Sequence, residues 1–140
     1  MSLRLFVNDG QLLKKTDMLG KMENYVLVEC QYGGQKQEYR TKIVQGAAKT
    51  KKAENRIEWN EELRINLPPN AQDARLLVKV MDEDMIKDEE AAEGWVNVAN
   101  CGMFNSQGNN YKLNLFTAPK KKKEQQPAGD LRFTTSYSQY

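Results

Sequence analysis

The stretch RLLVKVMDEDMIKDEE, residues 75–90, has two unlike halves. Its opening, RLLVKVM, is a β-rich apolar run interrupted by a single lysine. From residue 80 to residue 90 it then gathers six carboxylates within eleven residues, with Met85 and Ile86 in their midst. At a protein surface, two ionised carboxylates about 4 Å apart repel by on the order of 4 kcal/mol. Acids this dense therefore either point apart into water or surround a cation.

Working outward, the apolar spacing along the rest of the chain is mostly two. Leu3, Leu5 and Val7 alternate with Arg4 and Phe6, and Leu131, Phe133, Thr135 and Tyr137 alternate near the other end. Between them, β-rich runs fall at 25–32, 39–44, 57–67, 76–81, 95–99 and 111–116. Eight short runs separated by Gly, Asn, Pro or charge clusters predict an all-β, eight-stranded antiparallel sandwich. Residues 45–56, 82–94 and 117–129 read as polar connections. The last holds four consecutive lysines, Lys120 to Lys123, and reads as a solvated basic loop before the final strand. The segment 70–77 begins with helix-compatible residues, but no long amphipathic helix is predicted. Trp59, Trp95 and Tyr25 are expected in the core.

With 140 residues the chain is expected to form one domain, 1–140, monomeric by itself. The net charge of +2 conceals an asymmetry. Residues 36–56 carry seven Lys or Arg against Glu38 and Glu54, whereas residues 82–93 carry seven acids against Lys87. Such local polarity speaks of partners. No broad basic field of the kind a duplex binder needs is present, so nucleic acid is not expected. Two cysteines, Cys30 and Cys101, without histidine cannot complete a four-ligand zinc site and suggest no disulfide framework. The opening residues hold no apolar stretch of signal-peptide length, residue 2 is serine, and no run approaches a membrane span, so no signal peptide, myristoyl anchor or transmembrane segment is expected. A cytoplasmic protein with reduced thiols is expected. Lack of histidine removes the commonest general base, and no nucleophile–base pair or phosphate-cradling glycine loop points to an enzyme.

Two metal-binding patterns bear on the acids. Counted from Asp82, a helix–loop–helix calcium motif would have Asp82, Asp84, Asp88 and Glu93 in place. Its sixth position is Lys87 where glycine is needed, its fifth is Ile86, and the preceding segment is a strand, so that motif is rejected. The second pattern joins three segments. Asp17, Gly20-Lys21, Met22 and Glu23-Asn24-Tyr25-Val26 come first, then Trp59-Asn60-Glu61, then Asp82, Asp84 and Glu90. On these motifs, and in a strand pattern running from Leu3 to Tyr137, the chain resembles a C2 domain, the calcium-dependent membrane-docking module of protein kinase C and synaptotagmin. The strand order resembles the permuted, type II topology of that family.

The resemblance implies a calcium site at Asp17, Glu23, Asp82, Asp84 and Glu90, with Asp88 or Glu89 as a substitute for Glu90. Six to eight oxygens at roughly 2.3–2.6 Å, drawn from two loops and from backbone, would satisfy calcium. Glutamate stands where the family has aspartate at 23 and 90, and Asn24 replaces its proline. Met18, Leu19, Met22, Met85 and Ile86 flank the acids and either enter lipid, at roughly 1.5–3 kcal/mol each, or fold back on the sandwich. Lys36, Arg40, Lys42, Lys49, Lys51 and Lys52 offer a second contact for anionic phospholipid, or else form a charged, protected sheet edge. Two functions follow as expectations. One is a calcium-dependent, peripheral membrane-binding module. The other is a calcium-independent adaptor with protein partners in a cytoskeletal, ciliary or trafficking assembly.

Overall fold

The computed structural model describes residues 2–12, 23–45, 55–68, 73–83, 88–100, 109–120 and 123–138. Among these, nine antiparallel strands follow in chain order: β1 (Ser2–Leu12), β2 (Glu23–Tyr32), β3 (Gln35–Arg40), β4 (Val44–Gln45), β5 (Asn55–Asn66), β6 (Arg75–Asp82), β7 (Glu89–Asn97), β8 (Asn109–Phe116) and β9 (Pro127–Ser138). Eight of them pair in the order β3-β2-β6-β7-β8-β9-β1-β5, and the two-residue β4 pairs with β2. The path narrows at one place. β7 and β8 share the single register pair Glu93↔Phe116, so four strands on either side form the two layers of a sandwich.

Period-two patterning puts one side of every long strand into a common core. Leu3, Leu5 and Val7 of β1 join Val26 and Val28 of β2, Ile57, Leu63 and Ile65 of β5, Leu76, Val78 and Val80 of β6, and Leu131 and Phe133 of β9. Trp59 belongs to this core, and its indole N–H donates to the Asn24 carbonyl oxygen at 3.2 Å, tying β5 to the start of β2. Asn60, of the Trp-Asn-Glu motif, has φ of 48° at a register shift where β5 places two residues opposite Asn8. Asparagine tolerates that left-handed backbone better than most residues, which makes it a fitting bulge residue. β2 turns into β3 through Gly33 and Gly34, at φ of 58° and 77°, as a two-residue hairpin of the primed type demands.

Three details differ from the sequence reading. The strand expected over 39–44 is split into β3 and β4, with Thr41 exchanging hydrogen bonds with the Val26 backbone at 2.9 Å on both sides. The acidic connection expected over 82–94 is shorter, because β7 already begins at Glu89. Trp95 is 42% exposed and not in the core. It lies on the outer side of β7, opposite Leu77, where the Arg75 guanidinium covers its ring at 4.2 Å. Position 95 has the parity of Glu93, and apolar character alone did not reveal which side that was. The helix-compatible residues 70–72 lie outside the described residues.

Candidate functional site at the β2–β6–β7 end

β2 starts where β6 ends, so the roots of two acidic segments are neighbours. Asn24 pairs with Asp82, and Asp82 pairs in turn with Glu89. The Glu83 N–H donates to the Glu23 carbonyl oxygen at 2.9 Å. Glu23, Asp82 and Asp88 are each half-buried at this end. Asn24 is fully buried. Its Nδ2 donates to the Met81 carbonyl oxygen at 3.1 Å, and its Oδ1 receives no hydrogen bond. Asp88 accepts a 2.7 Å hydrogen bond from the Tyr25 hydroxyl. Burial, followed by that hydrogen bond and the charge of Asp88, pushes the Tyr25 phenol up to about 12, while Arg40, 4.8 Å over its ring, pulls the other way.

Glu90 goes elsewhere. The register shift between Val80 and Met81 leaves Ala91 as an extra residue in β7, so that Met81 pairs with Glu90 and Lys79 with Glu93. A spacing of three would put Glu90 and Glu93 on opposite sides of a regular strand; the bulge brings both to the outer side. There the Lys79 ammonium lies 3.3 Å from Glu90 and 3.5 Å from Glu29. Glu93, which the family pattern did not single out, is buried beside them, and its carboxyl is pushed up to about 7. Burial is the main cause, with a hydrogen bond to Glu90 and the Glu90 charge adding to it, and Lys79 opposing. A proton on Glu93 supplies Glu90 with a donor; the Glu90 Oε2 is buried and otherwise has no hydrogen-bond partner.

Asp17 and Asp84 lie outside the described residues, as do Met18, Leu19, Met22, Met85 and Ile86. Among the described residues, no three Cys, Asp or Glu side chains converge as a metal-holding group. No described helix is long and apolar enough to cross a membrane.

The sequence profile of the C2 domain matches residues 1–115. The chain belongs to the C2-domain family. Its fold is similar to that of a solved C2 domain, the one designated A, of plant extended synaptotagmin 1, with a TM-score of 0.74 at 18% identity, over 99% of this chain and 95% of that one. It is also similar to "16 kDa phloem protein 1" of Arabidopsis thaliana, 34% identical over 90 residues, or 63% of this chain. The match spans about half of that relative, 52% of its length. C2 domains are binding modules, so this one acts as a membrane-, lipid- or protein-binding unit.

Of the basic residues expected to meet anionic lipid, Lys36, Arg40 and Lys42 sit on and just beyond the edge strand of this C2 domain. Lys36 and Arg40 share one side of β3. Lys36 lies 3.8 Å from both Glu29 and Glu38, and Arg40 is stacked over Tyr25. Lys42 is exposed past the strand end, its backbone N–H donating to Glu61 Oε1 at 3.2 Å. Lys49, Lys51 and Lys52 lie outside the described residues. Arg64 belongs to the other layer, on β5, away from Arg40. Cys30 is a buried free thiol, pushed up by that burial, and so behaves as a small apolar residue.

Proposed function

We propose that this C2 domain is a calcium-dependent peripheral module that binds anionic phospholipid through the loops at its β2–β6–β7 end. The observation that carries this reading is the Glu83-to-Glu23 backbone hydrogen bond beside the Asn24–Asp82 pair, which makes the two acidic segments adjacent at their roots. Asp17 stands six residues before Glu23 and Asp84 two after Asp82. At up to about 3.3–3.6 Å per residue, both can return to those roots. The donors are hard oxygens, the set calcium prefers, and the unpartnered, buried Asn24 Oδ1 beside Asp82 adds one more. Asp17, Glu23, Asp82, Asp84 and Asp88 would hold the ion, while Glu90 stays with Lys79 on the sheet. Bound calcium supplies positive charge that turns an end repelling anionic lipid into one attracting it. Met18, Leu19, Met22, Met85 and Ile86 then enter the headgroup layer. Lys36, Arg40, Lys42, Lys49, Lys51 and Lys52 add roughly 1 kcal/mol for each cation near the surface.

Co-sedimentation with phosphatidylserine vesicles, with and without calcium, tests the reading. Wild-type protein should pellet only with calcium, and Asp82→Asn should remove that dependence. Binding indifferent to calcium rejects it. One observation favours a second reading, a calcium-independent adaptor held by protein partners. Lys79 already neutralises Glu90, the last acidic position of the family pattern, with a cation of the chain's own. Isolation of the protein in a stable complex, with no calcium uptake by calorimetry, would support that reading instead.

A further inference from the structure

On the outer side of the other layer, β8, β9 and β1 form an open, polar groove of about 430 Å³, large enough for a small phosphorylated polyol. Its walls include Asn8, Asp9, Asn110, Lys112 and Arg132. Arg132 is clamped side-on by Asp9: Nε donates to Oδ1 at 2.7 Å and Nη2 to Oδ2 at 2.8 Å. Two of the five guanidinium N–H groups are thereby used, and three remain on a side chain whose rotamer is already fixed. Arg56 donates to the same carboxylate at 3.2 Å, so Asp9 is shared between two arginines and neutralises neither fully.

Lys112 lies directly opposite Arg132 in the β8–β9 register. Like charges so placed destabilise a sheet unless something negative lies between them. Among the described residues, no carboxylate forms an ion pair with Lys112; Asp9, opposite Arg132 on β1, pairs with Arg132 and is shared with Arg56. A hydrogen-bond relay supplies further donors. Asn8 Nδ2 donates to the Thr134 hydroxyl, whose own hydrogen goes to Asn110 Oδ1, both at 3.1 Å. That polarity leaves the Asn110 amide nitrogen, on the same outer side as Lys112, with its hydrogens available.

We propose that Arg132, Lys112 and Asn110 form a binding site for a phosphate monoester on the face of the β8–β9–β1 layer. A monoester carries a charge of about −1.5 to −2 near neutral pH and three acceptor oxygens, which matches two opposed cations and an amide donor better than a singly charged carboxylate does. The site belongs to neither the acidic end nor the β3 edge, and it works without calcium.

The phosphate can be free or borne by a lipid headgroup, and two probes separate the sources. Calorimetry with inositol 1,4,5-trisphosphate reads the soluble ester. Co-sedimentation with phosphatidylcholine vesicles containing phosphatidylinositol 4-phosphate reads the headgroup. Both are run with EDTA on the full chain. Binding of at least one probe should weaken about tenfold in Lys112→Gln, an exposed change that relieves the repulsion with Arg132 and so should not lower the melting temperature, and should weaken similarly in Asn110→Asp, which replaces the donor by an acceptor. Titration by the soluble ester assigns a free phosphate; binding to vesicles alone assigns a headgroup. Binding of neither probe, or equal binding by wild type and Lys112→Gln, overturns the proposal.

Discussion

Lys79 and Glu90 hold each other at 3.3 Å on the outer side of neighbouring strands, with side chains only 22% and 17% exposed. Glu29, 9% exposed, lies 3.5 Å from the same ammonium. Replacing the cation leaves two poorly hydrated carboxylates facing each other. Lys79→Gln should therefore lower stability by about 2 kcal/mol at pH 8, as removal of one partner from a partly buried ion pair does. The loss should shrink at pH 5, where Glu93 beside them, its carboxyl pushed up to about 7, is protonated and adds no third negative charge. Urea unfolding at the two pH values measures both.

Glu93 gives the fold a pH dependence of unusual sign. Its carboxyl is raised from 4.5 to about 7, so between those values the folded protein binds more protons than the unfolded chain. Stability from this group is therefore greatest below pH 4.5 and falls as pH rises through 7. Glu93→Gln keeps a donor for Glu90 and removes the titration. The variant should lose that slope and be more stable than wild type at pH 8, by on the order of 1 kcal/mol. Melting temperatures across pH 5–8 test this; identical slopes for the two proteins would contradict it.

Tyr25 holds Asp88 at the mouth of the acidic end, and its hydroxyl is the donor. Tyr25→Phe should cost about 1–2 kcal/mol, because Asp88 loses a hydrogen bond in a partly buried place. The chain has six tyrosines. Absorbance titration in alkali should show one fewer phenol ionising near 12 in the variant.

Gly129 has φ of 147° where β9 pairs with Leu12, and a Cβ there would overlap the Gln11 carbonyl oxygen. Gly129→Ala should destabilise the domain by about 3 kcal/mol, since backbone and not a flexible side chain would have to move. Gly34, at φ of 77° with open space around it, provides the contrast: Gly34→Ala should cost only about 1 kcal/mol. Chemical denaturation of the pair separates steric overlap from simple backbone strain.

The alternation of Leu3, Leu5 and Val7 and of Leu131 and Phe133, and the β-rich run 76–81, were legible as strands, and the structure places these residues, with Leu76, Val78 and Val80 of the run, in the core. The all-β class was legible too, because side-chain period and β-propensity are local properties that need no partner to be read. The family could be read from the loop acids and the Trp-Asn-Glu strand for the same reason. What only the tertiary structure decided is which side each polar residue takes and whom it meets. One extra residue at Ala91 moves Glu90 away from the loop pattern and onto Lys79, and brings a buried Glu93 beside it. The pairing of β8 with β9, whose ends are separated by a lysine-rich connection, sets Lys112 against Arg132. Register across strands is a property of two segments at once, and a single bulge reverses the side that every following residue faces, so no window of sequence contains it.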